Sequence, residues 1–334
     1  MMGSSRSIKS AAKVLARIAD ALAQHRTFCV VGHMRPDGDC VGSQLALALA
    51  LRDRGKRVMC WNEDPLPRKL GFLDATGLFR LPESGRRFDC VVATDCASFE
   101  RLGRAGEGVG RRRILINIDH HPSNTHYGDL NWVEAGVPST GELIFRLLKF
   151  VEWPITPAIA DCLYTAISTD TGSFQYPSTL PETHATAGQL VKLGANVGRI
   201  CQTVYQSVPL SRVLLLRHVY STFRLTHDDR TSYVWLRRSD YARTGALPDD
   251  SEGLIDHIRA IEPVIVACVF EELEPDLIRI SLRSNNGQVR VNEILAQFGG
   301  GGHHAAAGAR IRGRPADVQR RVLRAVRVAL DTKT

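Results

Sequence analysis

Apolar residues recur along this chain with two different periods, and the order of those periods predicts its elements. Positions 11, 14, 15, 18, 19 and 22 repeat at helical spacing and predict a helix over 10–24. The unbroken apolar run 27–31 then predicts a buried strand. An Ala/Leu-rich helix follows over 38–54, closed by Gly55. Further strands are predicted at 57–61, at 88–94 (FDCVVAT) and at 114–118 (ILINI). Ser139 to Glu142 reads as a capping box opening the helix ELIFRLLKF. Two more helices are predicted over 156–169, with Pro157 in its first turn, and over 183–193, ended by Gly194. Strands alternating with helices imply a parallel, doubly wound α/β sheet.

The pattern changes after Gly194. Residues 196–222 read as a helical connection, and from Phe223 short strands dominate: TSYVWLR, PVIVACVFEE and LIRISLRS. A final helix is predicted over 315–330. The expected organisation is therefore a catalytic domain over 1–195, a linker over 196–222 and a smaller α/β domain over 223–334. No internal repeat is present, and the one low-complexity tract is Gly299 to Gly302.

Charge changes this picture at one end only. The chain has 334 residues and a formal net charge of +8. From Arg279 onward there are eleven Lys/Arg against three Asp/Glu, while the first 278 residues carry 32 of each sign. The basic excess thus belongs to the C-terminal end, either as a solvated helix face or as a surface for a polyanion. The eight cysteines form no CxxC pair and mostly sit in apolar runs, which predicts buried thiols rather than disulfides or a thiolate zinc site. No run of eighteen apolar residues and no signal-like start occur, so neither a membrane span nor secretion is expected, and a cytoplasmic location is.

Three predicted strands end in the same chemistry. The first is followed by His33, Asp37 and Asp39, the second by Asp95, and the third by Asp119, His120 and His121; a later helix ends in Asp170. Ligands of open parallel sheets sit beyond the carboxyl ends of the strands, so these groups are expected to converge. Carboxylates crowded into one cleft repel one another unless cations neutralise them. A mixed carboxylate and imidazole set suits Mn²⁺ best, with Mg²⁺, Fe²⁺, Co²⁺ and Zn²⁺ as less suitable ions. Two ions about 3.5–4 Å apart are the usual arrangement for cutting phosphate esters. Gly38 and Gly42 are expected to ease the turn and close helix packing, and the helix N-terminus there favours an anionic substrate.

The sequence resembles the DHH/DHHA1 phosphoesterases over nearly its whole length. GHMRPDGDCVGS, ATDCAS, DHHPSN and STDTGSF look like the family's four N-terminal motifs, and SLRSNNGQVRVNEIL and FGGGGHHAAAGA look like its DHHA1 motifs. The layout is most similar to the stand-alone oligoribonuclease/pAp phosphatase group. The resemblance implies that His33, Asp37 and Asp95 hold one Mn²⁺ and that Asp39, Asp95, His120 and Asp170 hold the other, with Asp95 bridging and Mg²⁺ or Co²⁺ as substitutes. It implies that Asp119 orients His120 and that His121 faces the scissile phosphate. It also makes Arg283, Ser284, Gly300, Gly301, Gly302 and His303 substrate-binding residues, with His304 adjacent. Asn292 reads equally as a hydrogen-bonding group or a helix cap.

The function so implied is hydrolysis of short RNA oligonucleotides and of 3′-phosphoadenosine 5′-phosphate (pAp). The expected partner is short single-stranded RNA or a nucleotide, and a homodimer is compatible with the family's habits. The alternatives are a cyclic dinucleotide phosphodiesterase on the same fold, and a nucleic-acid-binding protein with a dead site. The last predicts lost ligands, and none is lost. A long-DNA exonuclease and a family II pyrophosphatase fit less well, for want of an obvious OB-fold segment and because of the glycine-rich ending.

Overall fold

The computed structural model describes residues 2–285 and 289–332, with side chains from residue 12 onward. The chain divides into two compact units, residues 1–207 and 208–334. The stretch expected as a helical connection holds two helices, Val197–Val204 in the first unit and Leu210–Thr222 in the second.

Six parallel strands build the first unit: β1 Thr27–Val31, β2 Arg57–Trp61, β3 Phe79–Arg80, β4 Phe88–Thr94, β5 Arg112–Asp119 and β6 Leu130–Val133. Their spatial order is β3-β2-β1-β4-β5-β6. The chain therefore reverses its direction of travel between β1 and β4, which opens a crevice at the ends of those two strands. Both faces are covered, as the apolar runs require. Phe28, Val30, Cys90, Val92, Ile116 and Ile118 pack into one cluster, and Cys29, Val31, Val91, Ala93 and Leu115 into another. Two short strands escaped the sequence pattern: β3 has two residues, and β6 (LNWV) has four with alternating burial.

Helices Gly38–Asp53, Thr140–Phe150 and Pro157–Asp170 pack closely over the first of these clusters. Glycine permits the close approach. A Cβ on Gly38 would lie 2.3 Å from Thr169 Oγ1, and one on Gly42 would lie 2.4 Å from the Cys162 carbonyl oxygen. Neither residue has a positive φ. Their role is contact, and the turn does not require them. Ser139 caps its helix by accepting from the Glu142 N–H at 3.2 Å, but the expected capping box is only half formed. The Glu142 carboxylate instead takes Arg146 at 2.6 Å and Thr183 at 3.0 Å.

The second unit holds β7 Arg224–Thr226, β8 Thr231–Leu236, β9 Val266–Glu274, β10 Leu277–Ser284, β11 Gly301–His303 and β12 Ala306–Arg312, in the order β11-β12-β10-β9-β8-β7. All neighbours are antiparallel except β8 and β9. One face packs on helix Pro315–Asp331 through Val318, Val322, Val326 and Leu330. The other face is covered over β8 and β9 by residues such as Leu215, Val219, Leu254 and Ile258. Over β10 and β12 it carries Arg279, Ser281, Arg283, Gly308 and Arg310, which are partly or fully exposed. All eight cysteines are free, and seven are buried. Among the described residues, no helix is long and apolar enough to cross a membrane.

Candidate metal centre

Each strand end of the crevice contributes as its local geometry dictates. Asp37 caps the helix that begins at Gly38, its Oδ1 accepting from the Asp39 and Cys40 N–H groups at 3.1 and 3.0 Å. Capping fixes Asp37 and thereby turns Asp39 inward. Asp39 is buried at the start of another helix: it accepts from Thr140 N–H at 2.7 Å, Gly141 N–H at 2.9 Å and Ser43 Oγ at 3.1 Å. Asp95 follows β4 with φ +55°, a left-handed conformation that few residues adopt. Its N–H donates to the Ile118 carbonyl at 3.0 Å, which locks it to β5.

Asp95 lies at the centre of the cluster. Its carboxylate is 3.4 Å from His33 Nε2, 3.5 Å from His120 Nε2 and 3.7 Å from His121 Nδ1. His33 Nε2 also lies 3.8 Å from Asp37, and His120 Nε2 lies 3.3 Å from Asp170 and 3.8 Å from Asp39. All six residues expected to hold metal are thus brought together. The side chains of Asp39 and Asp95 are almost wholly buried, whereas those of Asp170 and Asp37 are 31% and 51% exposed. The cluster therefore opens to solvent on the Asp37 and Asp170 side.

Backbone carbonyls settle which nitrogen of each imidazole faces inward. His33 Nδ1 is 2.8 Å from the Met34 carbonyl, and His120 Nδ1 is 3.1 Å from the Val137 carbonyl. A carbonyl only accepts, so Nδ1 carries the proton and Nε2 presents its lone pair to the cluster. The expectation that Asp119 orients His120 is corrected here. Asp119 Oδ1 lies 2.8 Å from His121 Nδ1, and its Oδ2 accepts from Asn124 Nδ2 at 2.6 Å. His120 Nδ1 is taken by the Val137 carbonyl instead, and both imidazoles reach the Asp95 carboxylate.

The electrostatics describe a site short of positive charge. Burial, reinforced by Asp95 and Asp37, pushes Asp170 up to about 8. Burial and the Asp95, Asp170 and Asp37 carboxylates raise Asp39 well above the usual range. Burial alone would depress His33, but Asp95 and Asp37 outweigh it and raise its pKa to about 9. Asp95 goes the other way: burial opposes its ionisation, yet His33, His120 and His121 hold its pKa far below normal. Divalent cations would replace the protons that this arrangement otherwise retains. The donors fit that role. Ligand atoms of Asp39, His120 and Asp170, and those of Asp95, His120 and His121, lie within 4.8 Å of one another. Cys40 joins His33 and Asp95 in a third such group. Its thiol is held protonated by burial, with Asp95 and Asp37 adding to the effect.

Several supporting residues carry no sequence signal of their own. Thr140 binds Asp39 through its N–H and Asp95 through Oγ1, the latter at 3.1 Å. Asn124 also donates to Asn117 Oδ1 at 2.8 Å, so it ties two β5 side chains, Asn117 and Asp119, to the turn that follows them. The DHHPSN stretch contained Asn124, but its use required knowing which strand it returned to.

In the second unit Arg283 pairs in register with Ala306, and Ala306 with His303. The three share one rung, so Arg283 and His303 stand on the same face with Ala306 between them. On the next rung but one, Ser281, Gly308 and Gly301 leave the face low. Ser284 lies on the opposite face; it is 2% exposed, and its Oγ has no hydrogen-bond partner among the described residues. The glycine tract is partly ordered as strand β11 rather than an open loop. The Gly300 N–H donates to the Leu295 carbonyl at 2.9 Å, so it is not free to wrap a phosphate. Asn292 lies in the helix Val291–Ala296 and does not cap it, and its Oδ1 is buried without a partner among the described residues. Arg320, Arg321, Arg324 and Arg327 lie on the outer side of the last helix, which covers the face opposite Arg283.

The crevice at a parallel-sheet switch point, lined by carboxylates and imidazoles, defines a metal-dependent phosphoesterase. Residues 27–167 match the DHH family, N-terminal domain, and residues 233–331 match the DHHA1 domain. The chain is 33% identical to the bifunctional oligoribonuclease and PAP phosphatase NrnA of Thermus thermophilus, over 90% of this chain and 89% of that one. The protein of the same name from Bacillus subtilis is 29% identical, over 84% and 87%. The crystal structure of an exopolyphosphatase-related protein from Bacteroides fragilis superposes with a TM-score of 0.87 and 25% identity, covering 94% of this chain and 95% of that one. The chain belongs to the DHH/DHHA1 phosphoesterases, in the oligoribonuclease and PAP phosphatase group.

Proposed function

We propose that the protein is a Mn²⁺-dependent phosphohydrolase of short RNA oligonucleotides and of pAp. One observation carries this reading: the likeness to relatives named for those two activities runs through both domains and nine-tenths of the chain. In this reading His33, Asp37 and Asp95 would hold one cation, and Asp39, Asp95, His120 and Asp170 would hold a second. When bound, such ions polarise a phosphate ester and lower the pKa of water.

The chain's own groups do the rest. His33 and His120 are presented by carbonyl-locked Nδ1 atoms, so the site is set before substrate arrives. Asp119 holds His121 by Nδ1 and so orients the ring that meets the phosphate. Water attacks phosphorus opposite the leaving oxygen and gives up a proton to solvent; a P–O bond to water forms, the ester P–O bond breaks, and the leaving oxygen takes a proton from His121, which solvent then reprotonates, or from solvent directly. Arg283 and His303, on one face of the second sheet, bind the phosphate or base at the end of the substrate. Gly301 and Gly308 keep that face accessible.

The test is hydrolysis of a matched panel in Mn²⁺: RNA of two to about twenty-four nucleotides, pAp, and cyclic dinucleotides. The control is a chain carrying Asp119→Ala, His120→Ala and His121→Ala together. Turnover concentrated on the shortest RNAs and pAp, absent from the control, is the expected result. Turnover mainly of cyclic dinucleotides would replace the substrate assignment and keep the site. Equal activity in the control would remove the site itself.

A further inference from the structure

Arg101 presents a puzzle of charge. It lies in the short 3₁₀ turn Phe99–Leu102, six residues beyond Asp95, and its side chain is exposed. The Met34 N–H donates to the Arg101 carbonyl at 2.8 Å, so the turn is pinned to the loop that carries His33 and Asp37. Its positive charge is felt at His33, His121 and Cys96. Yet among the described residues its guanidinium makes no hydrogen bond, ion pair or ring contact.

Three nearby arginines behave otherwise. Arg104 is held by Glu63 at 3.1 Å, Arg112 by the Val109 carbonyl at 3.1 Å and by the Phe99 ring, and Arg113 by Asp89 at 3.5 Å. An arginine at the rim of an acidic cluster would ordinarily fold onto a carboxylate. Here each carboxylate is already committed: Asp37 to the helix cap, Asp39 to backbone N–H groups, Asp95 to imidazoles, Asp119 to His121 and Asn124, and Asp170 to His120. The fork is left exposed on a turn that follows β4 at the crevice end of the sheet and is pinned to the His33 loop.

We propose that Arg101 binds the phosphate undergoing hydrolysis, donating to its non-bridging oxygens and stabilising the charge that builds on them. The proposal rests on the phosphohydrolase reading above. The guanidinium matches two phosphate oxygens at once, which a lysine ammonium does not. Its interaction strengthens as negative charge gathers on those oxygens, so it acts on turnover more than on binding.

The experiment compares wild type with Arg101→Ala, Arg101→Lys and the surface control Arg113→Ala. All are loaded with Mn²⁺, and metal content is measured. Substrates are an RNA dinucleotide and bis(p-nitrophenyl) phosphate. The expected result for Arg101→Ala is a fall in kcat of about 10²-fold, with KM changed far less and metal content unchanged. Arg101→Lys should fall in between, and added guanidinium ion should restore part of the alanine variant's activity. A kcat within about threefold of wild type would overturn the proposal, as would a loss of activity matched by a loss of metal. Titration with inorganic phosphate keeps the question separate from the substrate reading. If wild type cleaves neither substrate, that reading fails, and Arg101 is still judged by phosphate affinity. A tenfold weaker Kd in Arg101→Ala supports the contact, and an equal Kd removes it.

Discussion

The two sheets present functional groups in opposite ways. The first is parallel, so every strand ends on the same side. Short contiguous segments after β1, β4 and β5 therefore meet in one crevice. The second is largely antiparallel, and its accessible groups lie along a face, one residue in two, on neighbouring strands: Arg283, Ala306 and His303 across one rung. The first sheet concentrates charge in a buried knot that several hydrogen bonds hold rigid. The second sets arginine and histidine side chains among small residues. A parallel edge suits chemistry, which needs many groups around one atom, while an antiparallel face suits recognition of something extended.

The sharpest way to break this contrast is to remove the centre of the knot. Asp95→Asn is expected to abolish hydrolysis of every substrate while leaving circular dichroism unchanged; retained turnover would show that the crevice is not the reacting site. Next in size, Arg283→Ala should raise KM for RNA by about tenfold to a hundredfold, the loss of one charge-assisted hydrogen bond, with kcat for bis(p-nitrophenyl) phosphate unaltered. Asn124→Ala should do the reverse. It frees Asp119 and lets His121 wander, and should cost about 10- to 100-fold in kcat with KM little changed. If both variants altered the same parameter, the division of labour between the sheets would fail.

A smaller effect concerns stability without metal. Asp170 rises from 3.8 to about 8, and His33 from 6.5 to about 9. The folded chain then holds protons that the unfolded chain has released. Stability of the metal-free protein is expected to fall as pH rises from about 5 to 9, and divalent ions should reverse the trend. Thermal melting with and without EDTA reads this; a stability that climbs with pH in EDTA would contradict the assigned repulsion. Smallest of all, replacing Arg320, Arg321 and Arg324 by Gln should change KM for RNA by less than about twofold, because these residues lie across the sheet from Arg283. A large rise would make the basic helix part of the binding surface.

The same contrast explains what could be read in advance. The acidic motifs were legible because parallel topology makes a site from unbroken stretches, and β1, β2 and β4 have the bounds that their apolar runs predict. Thr140 and Arg101 were not, because their meaning lies in contacts to segments far away in the chain, and Asn124, though close to Asp119 in sequence, gains its meaning only from the turn that folds it back onto β5. The pairing of Asp119 with His121 was misassigned because His120 is oriented by the Val137 carbonyl, a contact made 17 residues along the chain. Ser284 was grouped with Arg283 by adjacency, although adjacency in a strand separates faces. The strand β11 looked like a loop because its register exists only against β12.

The backbone of Asp95 has a genetic consequence. At φ +55° the residues that sit with least strain are Gly, Asn and Asp. Of these, Asp alone carries a charge that can attract cations. Glu, the chemically nearest substitute, is disfavoured by the dihedral angle as well as by its length. Asn and Gly each lie one nucleotide from Asp in the genetic code. The commonest lesions at this codon would therefore yield chains that satisfy the backbone and lack activity, invisible to protein quality control and detectable only by what accumulates uncut.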